Sequence, residues 1–284
     1  MKVVCEALGL ARSSFYAWRH GAVLSSGRRR RSRPGTVSEE VLLAAIQEVI
    51  GRSPFSGEGY RKVWAKLRRD QGIFVSRKRV LRLMRENGLL APARRVHCHS
   101  DGRHDGTIIP EAPNRLWGTD ATRVETEVDG WGWVFVCVDH FNLEAWAEVV
   151  KVGDRFAALE PIKQAVRERF GGFQRDIARG LKLRHDHGSQ YTSNHFLGEI
   201  RWLGIESSPA FVGEPEGNGV AEWFIRQLKE QVLWTRRFGT LEEARQAVLG
   251  FVSCFNREWL VERLGYRSPR ETYAAFLATQ GVVA

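Results

Sequence analysis

Residues 182–193 read KLRHDHGSQYTS, and this stretch decides the fold because it places an acidic residue, Asp186, at the end of a short predicted strand at 181–185. In a strand, His185 and His187 point to one face and Asp186 to the other. The three side chains therefore cannot easily bind one metal ion unless the strand has already ended. We interpret Asp186 as a Mg²⁺ ligand, and the two histidines as residues that orient the loop or contact phosphate.

Two further acidic residues occupy comparable positions. Asp120 ends an alternating strand at 115–120, and Glu222 lies on a long amphipathic helix that follows the Gly-rich segment FVGEPEGNGV. Strands ending in Asp and a helix bearing Glu bring carboxylates to one end of a sheet, and hard divalent cations prefer carboxylate and water ligands. By chance alone, about 0.8 Asp–Glu pairs are expected at the separation of Asp186 and Glu222. The spacing is therefore weak evidence by itself, and the prediction depends more on the sequence around these residues.

The pattern along the chain changes from helical to strand-like after residue 113. Strands at 115–120, 131–139 and 145–150 follow one another and predict an antiparallel meander. The remaining predicted elements are a helix near 154–169, a strand at 181–185, a helix capped by Ser193, a strand near 204–207, and helices at 220–235 and 241–256. Trp223 and Phe224 are interpreted as core residues.

Composition restricts the class of protein. The 284 residues contain 43 Lys and Arg against 33 Asp and Glu, a net charge of +10 and a pI of about 9.8, which favours a polyanionic partner such as nucleic acid. There is no run of about 18 apolar residues and no apolar signal-peptide region, so we expect a soluble, intracellular protein with no membrane partner. The four cysteines form no CxxC pair and indicate neither a zinc ribbon nor a disulfide framework. The group that could hold zinc is His97, Cys98, His99 and His104, in a segment rich in Arg, Gly and Asp.

Three predicted helices fill the region before this segment. Ser38 caps the first, the second covers 60–69, and Ser76 caps the third, which runs to Gly88. The predicted inward residues are Val41, Leu42, Ala45, Ile46 and Val49 in the first helix, and Val80, Leu81, Leu83 and Met84 in the third. A helix-turn-helix unit lays the N-terminal residues of such a third helix in a DNA major groove. The predicted DNA contacts are Ser76, Arg77, Lys78, Arg79 and Arg82. The alternative is a solvated basic face on an ordinary helical hairpin.

These patterns predict four parts of the chain. Residues 1–36 form an N-terminal helical segment and basic linker, and 37–90 form the helix-turn-helix DNA-binding domain. Residues 91–113 contain Pro and Gly at intervals typical of a linker. Residues 114–284 form an α/β catalytic core with C-terminal helices.

Several motifs together resemble a known family. TDAT with Asp120, DHGSQYTS with Asp186, and GNGVAEWFIRQLKEQ with Glu222 resemble the DDE integrase core of bacterial insertion-sequence transposases, specifically the second-reading-frame subunit of the insertion-sequence-three family. Both flanks resemble that family too, in GYRKVWAKLRRDQG, VSRKRVLRLMRENGLLAP, FNREWL and GYRSPRETY. The sequence departs from the family pattern at Arg184-His185-Asp186-His187-Gly188, where His-Ser-Asp-Arg-Gly is common, at Gly217-Asn218, where Asp-Asn is common, and at 256–264, which lacks Arg-Pro-His.

The resemblance implies an RNase H-like integrase core, a mixed five-stranded sheet with flanking helices, preceded by an all-α helix-turn-helix domain. It implies a DDE-type transposase in which Asp120, Asp186 and Glu222 hold two Mg²⁺ ions, with Mn²⁺ as a substitute, and cleave and join DNA strands. It also implies double-stranded DNA partners (terminal inverted repeats and target DNA), a homo-oligomer on DNA, fusion to the product of an upstream reading frame, and a place on the nucleoid in the bacterial cytoplasm.

Spacing along the helix adds two basic residues to the predicted site. Arg226 and Lys229 lie four and seven residues after Glu222, on the same helical face, where they could clamp the DNA backbone beside the metal ions. The alternative is a solvated Glu–Arg pair.

Three other functions are weighed against transposition. A tyrosine recombinase would use Tyr191 as its nucleophile, but it needs an Arg-His-Arg cluster, and Tyr191 has the setting of a packing residue. A catalytically idle DNA-binding regulator of transposition would use the helix-turn-helix alone. A general metal-dependent nuclease would cut DNA without rejoining the strands.

Overall fold

The computed structural model of the protein describes residues 37–92, 108–209 and 218–281. The predicted N-terminal segment 1–36, the possible zinc group at 97–104 and most of the Gly-rich loop, 211–217, lie outside these ranges. The chain divides into two compact units, 1–45 and 46–284. In the described ranges, no helix combines the length and the apolar character needed to cross a membrane.

The described elements follow the predicted order, with three helices before the sheet. The helices are α1 (Glu39–Arg52), α2 (Tyr60–Asp70), α3 (Arg77–Glu86), α4 (Glu160–Phe170), α5 (Ser189–Thr192), α6 (Asn194–Trp202), α7 (Gly219–Leu228), α8 (Leu241–Glu258) and α9 (Pro269–Thr279). Short 3₁₀ turns cover Ala157–Leu159 and Glu262–Leu264, and a π-helical turn covers Lys229–Leu233. The strands are β1 (Leu116–Thr126), β2 (Gly130–Asp139), β3 (Ala145–Val150), β4 (Lys182–His185) and β5 (Glu206–Pro209).

Serine side chains begin the helices at the predicted positions. Ser38 Oγ accepts a hydrogen bond from the N–H of Val41, and Ser76 Oγ accepts one from the N–H of Arg79, both at 3.3 Å. The prediction that Val41 faces inward is wrong, because its side chain is 58% exposed. The buried stripe of α1 is Leu42, Ala45, Ile46 and Val49, and a residue one position earlier lies outside a stripe of that width. In α3, Val80, Leu83 and Met84 are buried. Leu81 is only half-buried, because it lies at the margin of the buried stripe.

The five strands form one mixed sheet in the order β3-β2-β1-β4-β5. The predicted meander is confirmed, since β1 pairs antiparallel with β2, and β2 with β3. The pairs β1–β4 and β4–β5 are parallel. β4 pairs with β1 only along 116–118, so the rest of β1 projects past the end of β4. This offset places Asp120 beside the point where the chain leaves β4 at Asp186.

Alternating side chains in β2 separate two hydrophobic cores. Val134, Val136 and Val138 face one core, and Phe135 and Cys137 face the other. The first core is covered by α7 and α8, which contribute Val220, Phe224, Leu228, Val248, Phe251 and Phe255. The second is covered by α4 and α6, which contribute Ile162, Val166, Phe196 and Ile200. Asp120 lies on the face of β1 that α7 covers.

The elements in the second half of the sheet domain differ from the predictions at several points. The helix predicted at 220–235 leaves α-helical geometry after Leu228 and continues as the π-helical turn Lys229–Leu233. β5 begins later than predicted because Gly204, with φ of +81°, ends α6 in the left-handed conformation. Helix α9 was not predicted, although Ser268 and Glu271 form a capping box at its start.

Candidate active site

Asp120 lies in the middle of β1, half-buried against α7. The N–H of Ala121 donates to Asp120 Oδ1 at 2.8 Å. Burial raises the pKa of Asp120 to about 6; the bond from Ala121 opposes this, the charges of Asp186 and Glu222 add to it, and Lys229 lowers it. The charges of Asp186 and Glu222 therefore act on Asp120.

Asp186 follows β4 and is exposed at the sheet edge. Its Oδ1 accepts a hydrogen bond from the N–H of Gly188 at 2.8 Å, a turn typical of Asp. The strand has ended at His185, so the strand alternation does not extend to His187. His185 is buried; its Nε2 lies 2.8 Å from Ser207 Oγ and its Nδ1 lies 2.7 Å from the carbonyl oxygen of Asp186. These contacts hold the ring of His185 between β5 and the backbone of Asp186. His187 is exposed.

Glu222 lies in the first turn of α7 with an exposed side chain. Its pKa is raised by partial burial, and the guanidinium of Arg226 opposes that rise. Asn218, directly before α7, is buried, and its Nδ2 donates to the carbonyl oxygen of Thr119 at 2.9 Å. This bond fastens the start of the helix that bears Glu222 to the residue before Asp120.

Gly118 allows α7 to lie directly on the backbone of β1. A Cβ atom at Gly118 would be 2.9 Å from Asn218 Oδ1 and 2.9 Å from His140 Nε2, and 3.5 Å from the Cβ of Ala221. His140 is buried, and its Nδ1 lies 3.1 Å from the carbonyl oxygen of Ile108. Burial lowers the pKa of His140 to about 4, so its ring is neutral near pH 7. Sequence reasoning did not single out Gly118 or His140, since no local pattern indicates their contact.

Of the predicted DNA-binding residues, Arg226 and Lys229 lie near the carboxylates, and those of α3 do not. Arg226 is exposed and acts electrostatically on Glu222, while Lys229 is half-buried and acts on Asp120, so both accompany the carboxylates.

The α3 residues have their contacts elsewhere. Arg77 lies 4.4 Å from the centre of the Trp64 ring and pairs with Glu262 at 3.3 Å. Arg82 pairs with Glu86 at 3.4 Å. Ser76 caps α3, Lys78 is exposed and Arg79 is half-buried.

Three predicted packing residues behave as expected. Tyr191 is buried against Phe135, His185 and Phe196, a position that suits packing and not nucleophilic attack on DNA. Phe224 is fully buried, and the half-buried Trp223 packs against the same core.

The donor set suits a hard divalent cation. It consists of carboxylates whose mutual repulsion contributes to the raised pKa of Asp120, and a bound cation would relieve that repulsion. As they stand, no three His, Cys, Asp or Glu side chains within the described ranges are close enough together to hold one ion. Glu222 is on the surface and is joined to its helix by several rotatable bonds, so it has room to approach the other two.

Comparison with known proteins places this arrangement in a family. Residues 38–97 match the HTH-like domain family, and residues 110–215 match the integrase core domain family. The transposase InsD for insertion element IS2A/D/F/H/I/K of Escherichia coli is 31% identical over 252 residues, which cover 85% of this chain and 80% of InsD. The chain belongs to this family of insertion-element transposases. InsD for insertion element IS2-9 of Escherichia coli strain K12 is equally similar, at 31% identity over 252 residues and 79% of its length.

Solved structures with similarity to this transposase include retroviral integrases. The catalytic core domain of BIV integrase is 20% identical, with 59% of this chain and 99% of that chain covered and a TM-score of 0.43. The HTLV-2 integrase catalytic core domain in complex with magnesium is 17% identical, with 57% and 98% covered and a TM-score of 0.44. The mixed five-stranded sheet with flanking helices and the two matched domain families confirm the predicted RNase H-like fold after a helix-turn-helix region. The family also favours a transposase over a catalytically idle regulator.

Proposed function

We propose that this transposase is a DDE-type polynucleotidyl transferase that cleaves DNA at the ends of an insertion sequence and joins the freed ends to target DNA. The observation that supports the proposal is that the charges of Asp186 and Glu222 act on Asp120, at the end of β4 where β1 projects past it. Such carboxylate sets act on phosphodiesters through divalent metal ions.

We assign Asp120, Asp186 and Glu222 as the ligands of two Mg²⁺ ions, which Mn²⁺ replaces. When bound, the ions supply Lewis-acid stabilisation of the attacking and leaving oxygens in an in-line displacement at phosphorus. The chain's own contribution is position: the N–H of Ala121 orients Asp120, the N–H of Gly188 orients Asp186, and Asn218 fastens the start of the helix that bears Glu222.

Arg226 and Lys229 hold the DNA backbone next to the reacting phosphate. Their charges act on Glu222 and Asp120 respectively, so a phosphate that approaches those carboxylates meets both cations. The attacking oxygen is that of water in strand cleavage and that of a DNA 3′-hydroxyl in strand transfer, with the same carboxylates serving both steps.

The α3 helix supplies the contacts that select the element. We assign Ser76, Arg77, Lys78, Arg79 and Arg82 to terminal-repeat DNA, with 37–90 as the binding domain, 91–113 as the linker and 114–284 as the catalytic core. Arg77 would first leave Glu262, an exposed ion pair that costs about 1 kcal/mol or less to break. Lys78 is exposed and available for phosphate as it stands.

The partners of the reaction follow from the same proposal. The chain binds the terminal inverted repeats and the target as double-stranded DNA, and pairing two ends requires a homo-oligomer. We further propose that it works as the second-reading-frame subunit of an insertion-sequence-three-family element, fused to an upstream product, in the bacterial cytoplasm and on the nucleoid.

A strand-transfer assay tests the proposal. DNA that carries the element's own termini is incubated with the chain, with and without the upstream fusion, in Mg²⁺ or in EDTA. Wild-type protein and a Glu199→Gln control on α6 are expected to give nicked and joined products in Mg²⁺ alone, and Glu222→Gln is expected to give none. Joined products from Glu222→Gln would refute the catalytic assignment, and cutting without rejoining would favour a nuclease.

A further inference from the structure

A groove of about 590 Å³ opens beside the half of β1 that projects past β4. Its lining includes Arg123, Glu125, Trp131, Trp234, Arg236 and Arg237. It exists because β4 stops pairing with β1 at Gly118, and the chain next meets that edge at Thr126, where Phe238 forms an isolated bridge. The groove therefore lies along the part of β1 that continues past Asp120.

Trp234 is the most unusual residue of this groove. Its side chain is 70% exposed, although most large apolar side chains of the core domain are buried. It follows the π-helical turn Lys229–Leu233, and its N–H donates to the carbonyl oxygen of Lys229 at 2.9 Å. A single π turn rotates the residues after it away from the α-helical face, and such turns are frequent at functional sites. The turn carries Trp234 away from the core that Leu228 and Val232 enter.

Lys229 connects this tryptophan to the carboxylates. Its Nζ lies 5.9 Å from the centre of the Trp234 ring, and its charge acts on Asp120. A nucleotide whose phosphate contacts Lys229 would therefore have its base within reach of the exposed indole.

The charges and rings of the groove fit nucleic acid. Three arginines, Arg123, Arg236 and Arg237, line it against two glutamates, Glu125 and Glu127. Trp131, which is 54% exposed, supplies a second aromatic surface there. Stacking platforms with adjacent cations are the usual design for unpaired nucleotides, because only an unpaired base offers a free π-face.

We propose that this groove binds an unpaired nucleotide at the DNA end, next to the phosphate that is cleaved and joined, with Trp234 stacked on its base and Arg236 and Arg237 on the adjoining phosphates. The inference rests on the proposed function, since it takes the carboxylates as the reacting site. It adds a place where an unpaired terminal base is held during the reaction. A second protein copy is the alternative occupant, but a surface with more arginines than acidic residues beside the carboxylates fits a polyanion better.

Fluorescence of 2-aminopurine tests the stacking directly. The probe is a duplex of the element's terminus with 2-aminopurine as an unpaired 3′-terminal base, and a fully paired blunt duplex serves as the comparison. Both are titrated in Ca²⁺ or EDTA, so that binding is measured without cleavage. The variants are Trp234→Ala, Trp234→Phe, Trp131→Ala and the control Trp202→Ala, whose 42% exposed ring lies on α6 outside the groove.

Wild-type protein is expected to quench the probe. Trp234→Ala is expected to lose the quenching and to bind the unpaired duplex at least about fivefold more weakly, with no change for the blunt duplex. Trp234→Phe restores the binding, Trp131→Ala gives a smaller loss, and Trp202→Ala behaves as wild type. Equal affinity of Trp234→Ala and wild type for the unpaired probe would overturn the proposal. An equal loss of affinity for both duplexes would also overturn it. So would a Trp234→Ala protein in which only the oligomeric mass differs from wild type.

The same titration with Glu222→Gln separates this inference from the proposed function. If Glu222→Gln still joins strands but Trp234→Ala loses selective binding, the catalytic assignment fails and the groove stands. If Glu222→Gln is inactive while Trp234→Ala keeps the quenching, the groove fails and the catalytic assignment stands. Thermal melting of Trp234→Ala is expected to match wild type because the indole is exposed.

Discussion

Replacing Gly118 with alanine tests whether close contact between α7 and β1 sets the geometry of the site. The new Cβ would stand 2.9 Å from Asn218 Oδ1 and from His140 Nε2, whereas ordinary contacts begin at 3.4 Å, so these groups must move by about 0.5 Å. Overpacking of this kind costs about 1–3 kcal/mol of folding free energy. Because Asn218 begins the helix that bears Glu222, the shift reaches a carboxylate. A misplacement of 1 Å costs about a hundredfold in rate, so a shift of about 0.5 Å is expected to slow strand transfer roughly tenfold.

The assay combines urea unfolding with the rate of strand transfer at saturating DNA. The matched control is Gly250→Ala, in the middle of α8, where an added Cβ meets nothing within 4 Å. We expect the control to be more stable by about 0.5–1 kcal/mol, since glycine is the weaker helix former, with an unchanged rate. A Gly118→Ala protein with wild-type stability and rate would refute the idea that β1 and α7 hold the carboxylates through this contact.

Three further substitutions probe charge, hydrogen bonding and DNA contact. The folded state lowers the pKa of His140 from 6.5 to about 4. Below pH 6.5 the unfolded chain takes up a proton that the folded chain does not, so stability falls as the pH drops towards 4, by at most about 3 kcal/mol. Urea unfolding at pH 7.5 and 5 should show a smaller loss for His140→Gln. Asn256 exchanges two hydrogen bonds with the backbone of Ala145, at 2.8 and 2.9 Å. The substitution Asn256→Ala leaves both backbone groups buried and unpaired. Calorimetry should show a loss of about 2–4 kcal/mol in the free energy of unfolding. Replacing Arg236 and Arg237 together with alanine should reduce the slope of log affinity against log salt by about 2, if each contacts one phosphate of duplex DNA, and an unchanged slope would exclude such contacts.

The strands were predictable where their residues pack on both faces. The apolar run of β2 and the run Ala145–Val150 are recognisable as strands from sequence, because buried strands need apolar side chains on both faces. The continuation of β1 past Asp120 was not predicted, since Arg123 and Glu125 give that half a polar face and it gains its order from pairing with β2. The positions of Asp120, Asp186 and Glu222 in the fold were predictable because each residue follows or lies within a recognisable element.

The contacts that position the carboxylates could not be read from local sequence. Asn218 and His140 meet over Gly118 only after β2 and α7 have packed on β1. The π turn after Leu228 was also hidden, because QLKEQVL continues a helical pattern and the exposed Trp234 resembles another core residue in sequence. The start of α9 was different: Ser268, Pro269 and Glu271 form a visible capping signal that the sequence reasoning overlooked.

A metal-specificity switch at Asp186 tests the central claim most directly. A cysteine thiolate binds Mn²⁺ better than Mg²⁺, so the Asp186→Cys variant should lose strand transfer in Mg²⁺ and regain part of it in Mn²⁺. The measured quantity is the ratio of the two rates, which we expect to rise at least about tenfold over that of wild type. Because Asp186 is exposed, the substitution should leave the fold intact. A ratio equal to that of wild type would contradict the assignment of Asp186 as a ligand of the ions that drive the reaction.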